Sequence, residues 1–355
     1  MAHRNYFRDE MTDWPTCEYC AGHIQSQVKA KTLSSSLNSF LELKALYKCW
    51  DLLAAPMLNY LSQEITMSSG MVRYLLKALV SIEDPRRARQ IQTLLEQQAA
   101  LHPPCRPGMQ TFYSSVLFEP IHNLNFDHSI TENFFDFMKR IETSESSVAE
   151  KTKSTSVVVN THTDAVAFLK RSLKPVSPKT TVNWPKEFLN YQIFVFNFCV
   201  DILSHDFMVN SRNGSELKKS MLYKMVWGTF ADDIDINLHV KDVFRLYANV
   251  APDHRRDVGK YLVLLAECFR LHDVTEESQF PFFGIEKEDK CDDFVAALAA
   301  RLRENGTVTF NTIDLIRDIP SNWLRCQLSV HMLCTQLFSN TRNSGRKKKY
   351  FAIFK

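Results

Sequence analysis

The feature that most restricts this chain is the spacing of its apolar residues, which recur three and four positions apart along almost its whole length. Leu37, Phe40, Leu41, Leu43, Ala45 and Leu46 lie on one such face, and Trp50, Leu52 and Leu53 continue the pattern to a break expected near Pro56. Ser68 and Ser69 place hydroxyl oxygens ahead of Met71, Val72, Leu75, Leu76, Leu79 and Val80, which is helix entry by side-chain capping. Asp84-Pro85 opens the next helix: the carboxylate caps, and proline has no N–H to leave unsatisfied in the first turn. Its stripe of Ala88, Ile91, Leu94, Leu95 and Ala99 runs to Leu101, where His102-Pro-Pro-Cys-Arg-Pro-Gly108 stops it.

The same spacing predicts helices over 131–141, 163–173, 188–203, 215–230, 240–248, 253–271, 289–303, 311–317 and 322–338. Segment 188–203 is apolar nearly all round and is expected at the centre of its domain. Only 9 glycines and 13 prolines occur in 355 residues, which argues against turn-rich β folds and glycine-cradled nucleotide folds. The β-branched runs at 157–159 and 307–310 are short and have no evident partner. The expected class is therefore all-α, an irregular helical stack that is either α-solenoid-like or two packed helical bundles, without the fixed register of a helical repeat.

Composition shifts divide the chain into an N-terminal segment (1–29), a helical subdomain (30–142), a flexible linker with one short helix (143–183), a second helical subdomain (184–340) and a basic, aromatic tail (341–355). Within the linker, Ser144, Ser146 and Ser147 are interleaved with acids in a pattern suited to phosphorylation. The valines at 157–159 offer a strand to a partner's sheet. In the tail, Arg346, Lys347, Lys348 and Lys349 form a compact basic run that suits nuclear import or a phosphate contact, and equally suits a solubilising end.

With 43 Lys+Arg against 40 Asp+Glu, the formal charge of +3 is too small to argue for a nucleic-acid surface. Nine cysteines, an odd number without framework spacing, fit reduced intracellular use. The N-terminus has no apolar signal core, and no uninterrupted apolar run is long enough to span a bilayer. A nuclear, or cytoplasmic and nuclear, protein with no membrane contact is expected.

Cys17-Glu-Tyr-Cys20-Ala-Gly-His23 is the sharpest local motif. Two thiolates and an imidazole at this spacing supply three corners of a zinc tetrahedron, with Cys49, His102 or Cys105 available as the fourth. Zinc is the one cofactor the sequence admits. A redox-active pair fits the same residues, and incidental cysteines in an N-terminal segment remain the plainest explanation. Asp232, Asp233 and Asp235 lack calcium-loop spacing and read as caps for a following helix. His205-Asp206 and His272-Asp273 are each expected to end an apolar helix, where the macrodipole favours histidine. No nucleophile elbow, phosphate loop, kinase signature or zinc-protease motif is present, and no catalytic residue is assigned.

The helices at 71–82, 188–203 and 261–271, with the polar insert at 143–156, give the chain a pattern that resembles the irregular helical scaffold modules that pair in the loader of the five/six structural-maintenance-of-chromosomes complex. The likeness spans roughly residues 30–340. It implies a nuclear, non-catalytic adaptor that heterodimerises with another helical protein and helps recruit a genome-maintenance complex on chromatin. The alternative from the residues themselves is a zinc-stabilised nucleic-acid module built on Cys17, Cys20 and His23. A third is an enzyme assembled from distant groups around His205, Asp206 or His272.

Overall fold

The computed structural model describes residues 17, 19–20, 29–46, 50–81, 84–118, 186–212, 214–227, 236–237, 239–240, 243–244, 252–279, 289–302 and 310–339. These residues are 82% helical, with eleven α-helices and two short parallel strands, so the class is all-α. Two compact units are present: one spans Pro15–Ile234, and the described part of the other lies within Asp235–Lys355.

In Pro15–Ile234 the order is β1 (Lys31–Thr32), α1 (Ser35–Leu46), α2 (Trp50–Tyr60), β2 (Ile65–Thr66), α3 (Ser69–Ser81), α4 (Pro85–Leu101), α5 (Met109–Phe118), α6 (Lys186–Arg212), a 3-10 turn (Gly214–Lys219) and α7 (Met221–Trp227). The capping chemistry works as the residue types dictate. Asp84 Oδ1 accepts the Arg86 N–H at 3.0 Å with Pro85 in the first turn, and Ser68 Oγ accepts the Met71 N–H at 3.2 Å. The α4 stripe of Ala88, Ile91, Leu94 and Leu95 is fully buried. Its turn also buries Gln98, whose amide donates to Thr66 Oγ1 at 2.7 Å and accepts the Met67 N–H at 3.2 Å. That side chain satisfies polar groups where β2 ends, which is how so short a parallel pair, Lys31 with Ile65 and Thr32 with Thr66, is held inside a helical body.

Helix α6 is the centre of this unit, packed mainly on helices from the N-terminal half of the chain. It packs against α3, α4, α5 and α7, with Val195, Phe196, Cys199, Val200, Leu203 and Phe207 buried. Its Ile193–Ser211 stretch is long and apolar enough to cross a membrane by length and composition, and 61% of it is buried in the fold.

In the other unit a 3-10 turn (Pro252–His254) leads into α8 (Arg255–Gln279), followed by α9 (Lys290–Arg301), α10 (Phe310–Asp318) and α11 (Asn322–Ser339). Along α8, Val258, Leu262, Leu265, Ala266 and Phe269 are buried throughout, and Phe269 stacks on Phe294 of α9 at 4.9 Å. Asp273 of α8 accepts the N–H groups of Lys290 (3.2 Å) and Cys291 (2.8 Å), so one helix caps the start of the next. Asp289 adds the N-cap, accepting the Asp292 N–H at 2.9 Å. At Gly259 the backbone of α8 lies so close to the Asp318 carbonyl at the end of α10 that a Cβ would overlap it.

Three sequence expectations need correction, and one helix was not expected. Pro56 does not break a helix; it lies inside α2, where Leu53, Ala54 and Met57 are buried and hold the segment helical despite the missing N–H. Helix α6 runs past Leu203 to Arg212, and α8 past Leu271 to Gln279, so neither His205-Asp206 nor His272-Asp273 terminates its helix. In α6 the continuation buries Phe207, and the polar residues beyond the apolar run find partners inside the fold. Helix α5 was not anticipated, because the proline-rich stop before it reads as the start of a loop. The segments expected at 131–141, 143–156, 157–159, 163–173 and 346–349, with Ser144, Ser146 and Ser147, lie outside the described residues.

Candidate metal centre

Three separate stretches of the Pro15–Ile234 unit bring four donor atoms together. The first is the turn carrying Cys17 and Cys20, in which the Cys20 N–H donates to Cys17 Sγ at 3.3 Å. A two-residue spacer makes this geometry natural: it folds the backbone into a knuckle that points both sulfurs one way and aims an N–H at the first of them.

The second stretch is the stop between α4 and α5. Far from being a slack connection, it buries His102, Pro103, Pro104 and Arg106. The Pro103 carbonyl accepts the Arg106 N–H at 3.0 Å and the Arg106 carbonyl accepts the Met109 N–H at 3.0 Å. His102 Nε2 lies 3.0 Å from the Ile65 carbonyl and its Nδ1 lies 3.0 Å from an Arg106 guanidinium nitrogen. Since arginine only donates, Nδ1 accepts and Nε2 carries the proton, so His102 is neutral. Burial, with the Arg106 charge adding to it, lowers its pKa accordingly. The Tyr113 hydroxyl donates to the His102 carbonyl at 2.9 Å, tying the loop to α5, and Gly108 closes it at φ +82°. Cys105 is thus held on a fixed loop. The Arg106 guanidinium also lies 5.4 Å from the ring centroid of Tyr19, the residue just before Cys20, which joins this loop to the knuckle.

The third contribution is His205 on α6. The rotation of that helix is fixed by the next residue, Asp206, which is buried and accepts from Gln110 of α5 (2.8 Å), from Asn210 one turn on (3.0 Å) and from the Met221 N–H at the start of α7 (2.5 Å). Burial raises the Asp206 pKa while these donors pull it down.

The result is a Cys17, Cys20, Cys105 and His205 cluster whose four ligand atoms all lie within 4.8 Å of one another. Cys17 Sγ is 3.3 Å from Cys105 Sγ and 3.5 Å from His205 Nε2, and Cys20 Sγ is 3.2 Å from the same nitrogen. A tetrahedron with Zn–S of about 2.3 Å and Zn–N of about 2.0–2.1 Å has S···S edges of about 3.8 Å and S···N edges of about 3.5 Å. The two sulfur–nitrogen contacts lie within about 0.3 Å of that edge, and the Cys17–Cys105 contact is about 0.5 Å shorter than its ideal, so the donors stand close enough together for one ion. Without a metal, the Cys105 thiol is pushed upward in pKa by burial and by its two cysteine neighbours, so a cation that enters must displace its proton.

Cys17 and Cys20, the two cysteines singled out in sequence, are brought together, and Cys105 joins them from the three residues offered as a fourth ligand. His102 is not a donor: both its nitrogens are occupied holding the loop. His23 and Cys49 lie outside the described residues. His205 was missed as a ligand. It lies 188 residues from Cys17, and no local spacing rule reaches that far. The available signal was an imidazole two residues beyond the apolar 188–203 segment.

Compared with known proteins, the chain matches no family model, no curated protein and no solved structure.

Proposed function

We propose that this chain is a non-catalytic helical scaffold whose Pro15–Ile234 unit is fastened by a structural zinc ion on Cys17, Cys20, Cys105 and His205. The observation that carries this reading is the convergence of four soft or borderline donors from three distant stretches within 4.8 Å. Thiolate-rich tetrahedral sets favour Zn²⁺ over hard cations. Four protein ligands also fill a tetrahedron, leaving no position for a water or substrate, which is the pattern of structural rather than catalytic zinc.

In this role the ion ties the N-terminal knuckle and the α4–α5 loop to the central helix. The scaffold would then present its helices to another helical protein, in keeping with the nuclear heterodimeric adaptor that the resemblance implies. Phe40 on α1 and Tyr60 on α2, 48% and 47% exposed, are the large apolar side chains that the described residues leave open as anchors.

Metal analysis of the purified chain tests the zinc half. One zinc per chain is expected, falling below about a tenth of that in Cys105→Ser and His205→Ala. Full zinc retention in both variants refutes this ligand set. For the scaffold half, a stoichiometric helical partner is expected with the chain isolated from nuclear extract, and a monodisperse, partner-free monomer contradicts it.

A further inference from the structure

The three site cysteines differ from the other described thiols in a way that matters for oxidation. Cys199, Cys268 and Cys291 are buried, at 0%, 0% and 5% exposure, with thiol pKa values raised by that burial. Neither oxidant nor partner thiolate reaches them readily. Cys326 is exposed. Cys17, Cys20 and Cys105 are all half-buried, so a small solute can reach them, and each has other sulfurs near it. Cys17 Sγ and Cys105 Sγ approach to 3.3 Å across 88 residues of chain. Cys20 Sγ neighbours Cys105 as well and lies 3.2 Å from His205 Nε2, while its backbone N–H holds the knuckle to Cys17.

We infer that the Cys17–Cys105 edge is an oxidative modification site, at which a hydroperoxide joins the two thiolates as a disulfide and expels the metal. This rests on the zinc reading above. In the first step one of the two thiolates attacks an oxygen of hydrogen peroxide. The O–O bond breaks, the sulfur loses two electrons to become a sulfenic acid, and the other oxygen leaves as hydroxide and takes up a proton to form water. The second thiolate, already within contact distance, then attacks the sulfenic sulfur. The S–S bond forms, the S–O bond breaks, and hydroxide again leaves as water after protonation. Two thiolates, one peroxide and two protons thus give one disulfide and two waters. The zinc is left with Cys20 and His205 only, too few ligands to retain it against solvent.

The product is not equivalent to simple metal loss. The disulfide keeps the 88-residue closure between the knuckle and the α4–α5 loop but releases the tie to α6. Oxidised, metal-free protein should therefore melt between the zinc-loaded and the reduced metal-free forms.

The test uses the full chain carrying Cys326→Ser, which removes the exposed thiol among the described cysteines. Zinc is quantified first; hydrogen peroxide is then added in substoichiometric steps, with release followed by a chromophoric zinc chelator and all cysteines mapped by differential alkylation and mass spectrometry. The expected result is one zinc released per peroxide consumed, with the 17–105 bridge as the dominant product. Release accompanied by a 17–20 or 20–105 bridge, sulfinic acid without a bridge, or zinc retained after an equivalent of peroxide overturns the inference and leaves the zinc reading intact. A chain with no zinc before peroxide is added overturns both.

Discussion

Removing the metal from the reduced protein should cost the Pro15–Ile234 unit several kcal/mol, and the size follows from which residues are joined. Cys17 and Cys105 are 88 positions apart. Treated as a cross-link on the unfolded chain, a loop of that length is worth about 4.5 kcal/mol at 25 °C. The tie from Cys17 to His205, 188 positions apart, adds to this, so the figure is a floor for a fully loaded site. For a unit of this size, each kcal/mol moves the melting temperature by about 2–4 °C, which places the expected drop at roughly 10–20 °C. The assay is differential scanning calorimetry of one preparation as purified, after stripping with a thiol-compatible zinc chelator, and after restoring zinc or magnesium. Zinc should restore the transition and magnesium should not, since thiolates are poor ligands for a hard cation. A stripped protein, verified to be metal-free, that melts within about 2 °C of the loaded form would refute the claim that this cluster fastens the fold.

Two further outcomes test the packing outside the centre. Asp273 is pushed up to about 6, by burial first and then by the neighbouring Asp289 charge, against the pull of the Cys291 and Lys290 N–H groups. Its folded pKa therefore lies above the unfolded value, so the stability it contributes is fully present below pH 3.8 and is lost as pH rises towards 6. Chemical denaturation at pH 4.5, 5.5 and 6.5 should show that downward contribution in the wild type and its absence in Asp273→Asn; parallel profiles would contradict the assignment. Gly259→Ala places a methyl group against the Asp318 carbonyl, where backbone must move to make room. It should destabilise by about 1–3 kcal/mol even after the helix-propensity gain, a neutral or stabilising change in the denaturation midpoint being the refuting result.

Much of the helical framework was legible because the signals are local. The capped entries at Ser68 and Asp84 and the stripe of α4 depend on residues within a few turns of one another, and each is found where its chemistry puts it. The failures are places where tertiary packing decides. Pro56 is carried inside α2 by the burial of its neighbours, and α6 continues past its apolar run because Asp206 and Asn210 find partners within the fold. Helix α5 was hidden behind a proline-rich stop that turns out to be a buried, hydrogen-bonded platform. Half of the metal centre was visible as the Cys17–Cys20 pair, and Cys105 was within the set of residues offered. His205 was not, because its role exists only once α6 is laid across the α4–α5 loop with its rotation pinned by Asp206.

The most direct test of the central claim is X-ray absorption at the zinc edge on the purified, reduced chain. A closed site on Cys17, Cys20, Cys105 and His205 gives three sulfur scatterers at about 2.3 Å and one nitrogen at about 2.0–2.1 Å, with no oxygen. A first coordination sphere dominated by nitrogen and oxygen, or one containing a bound water in place of a sulfur, would contradict it.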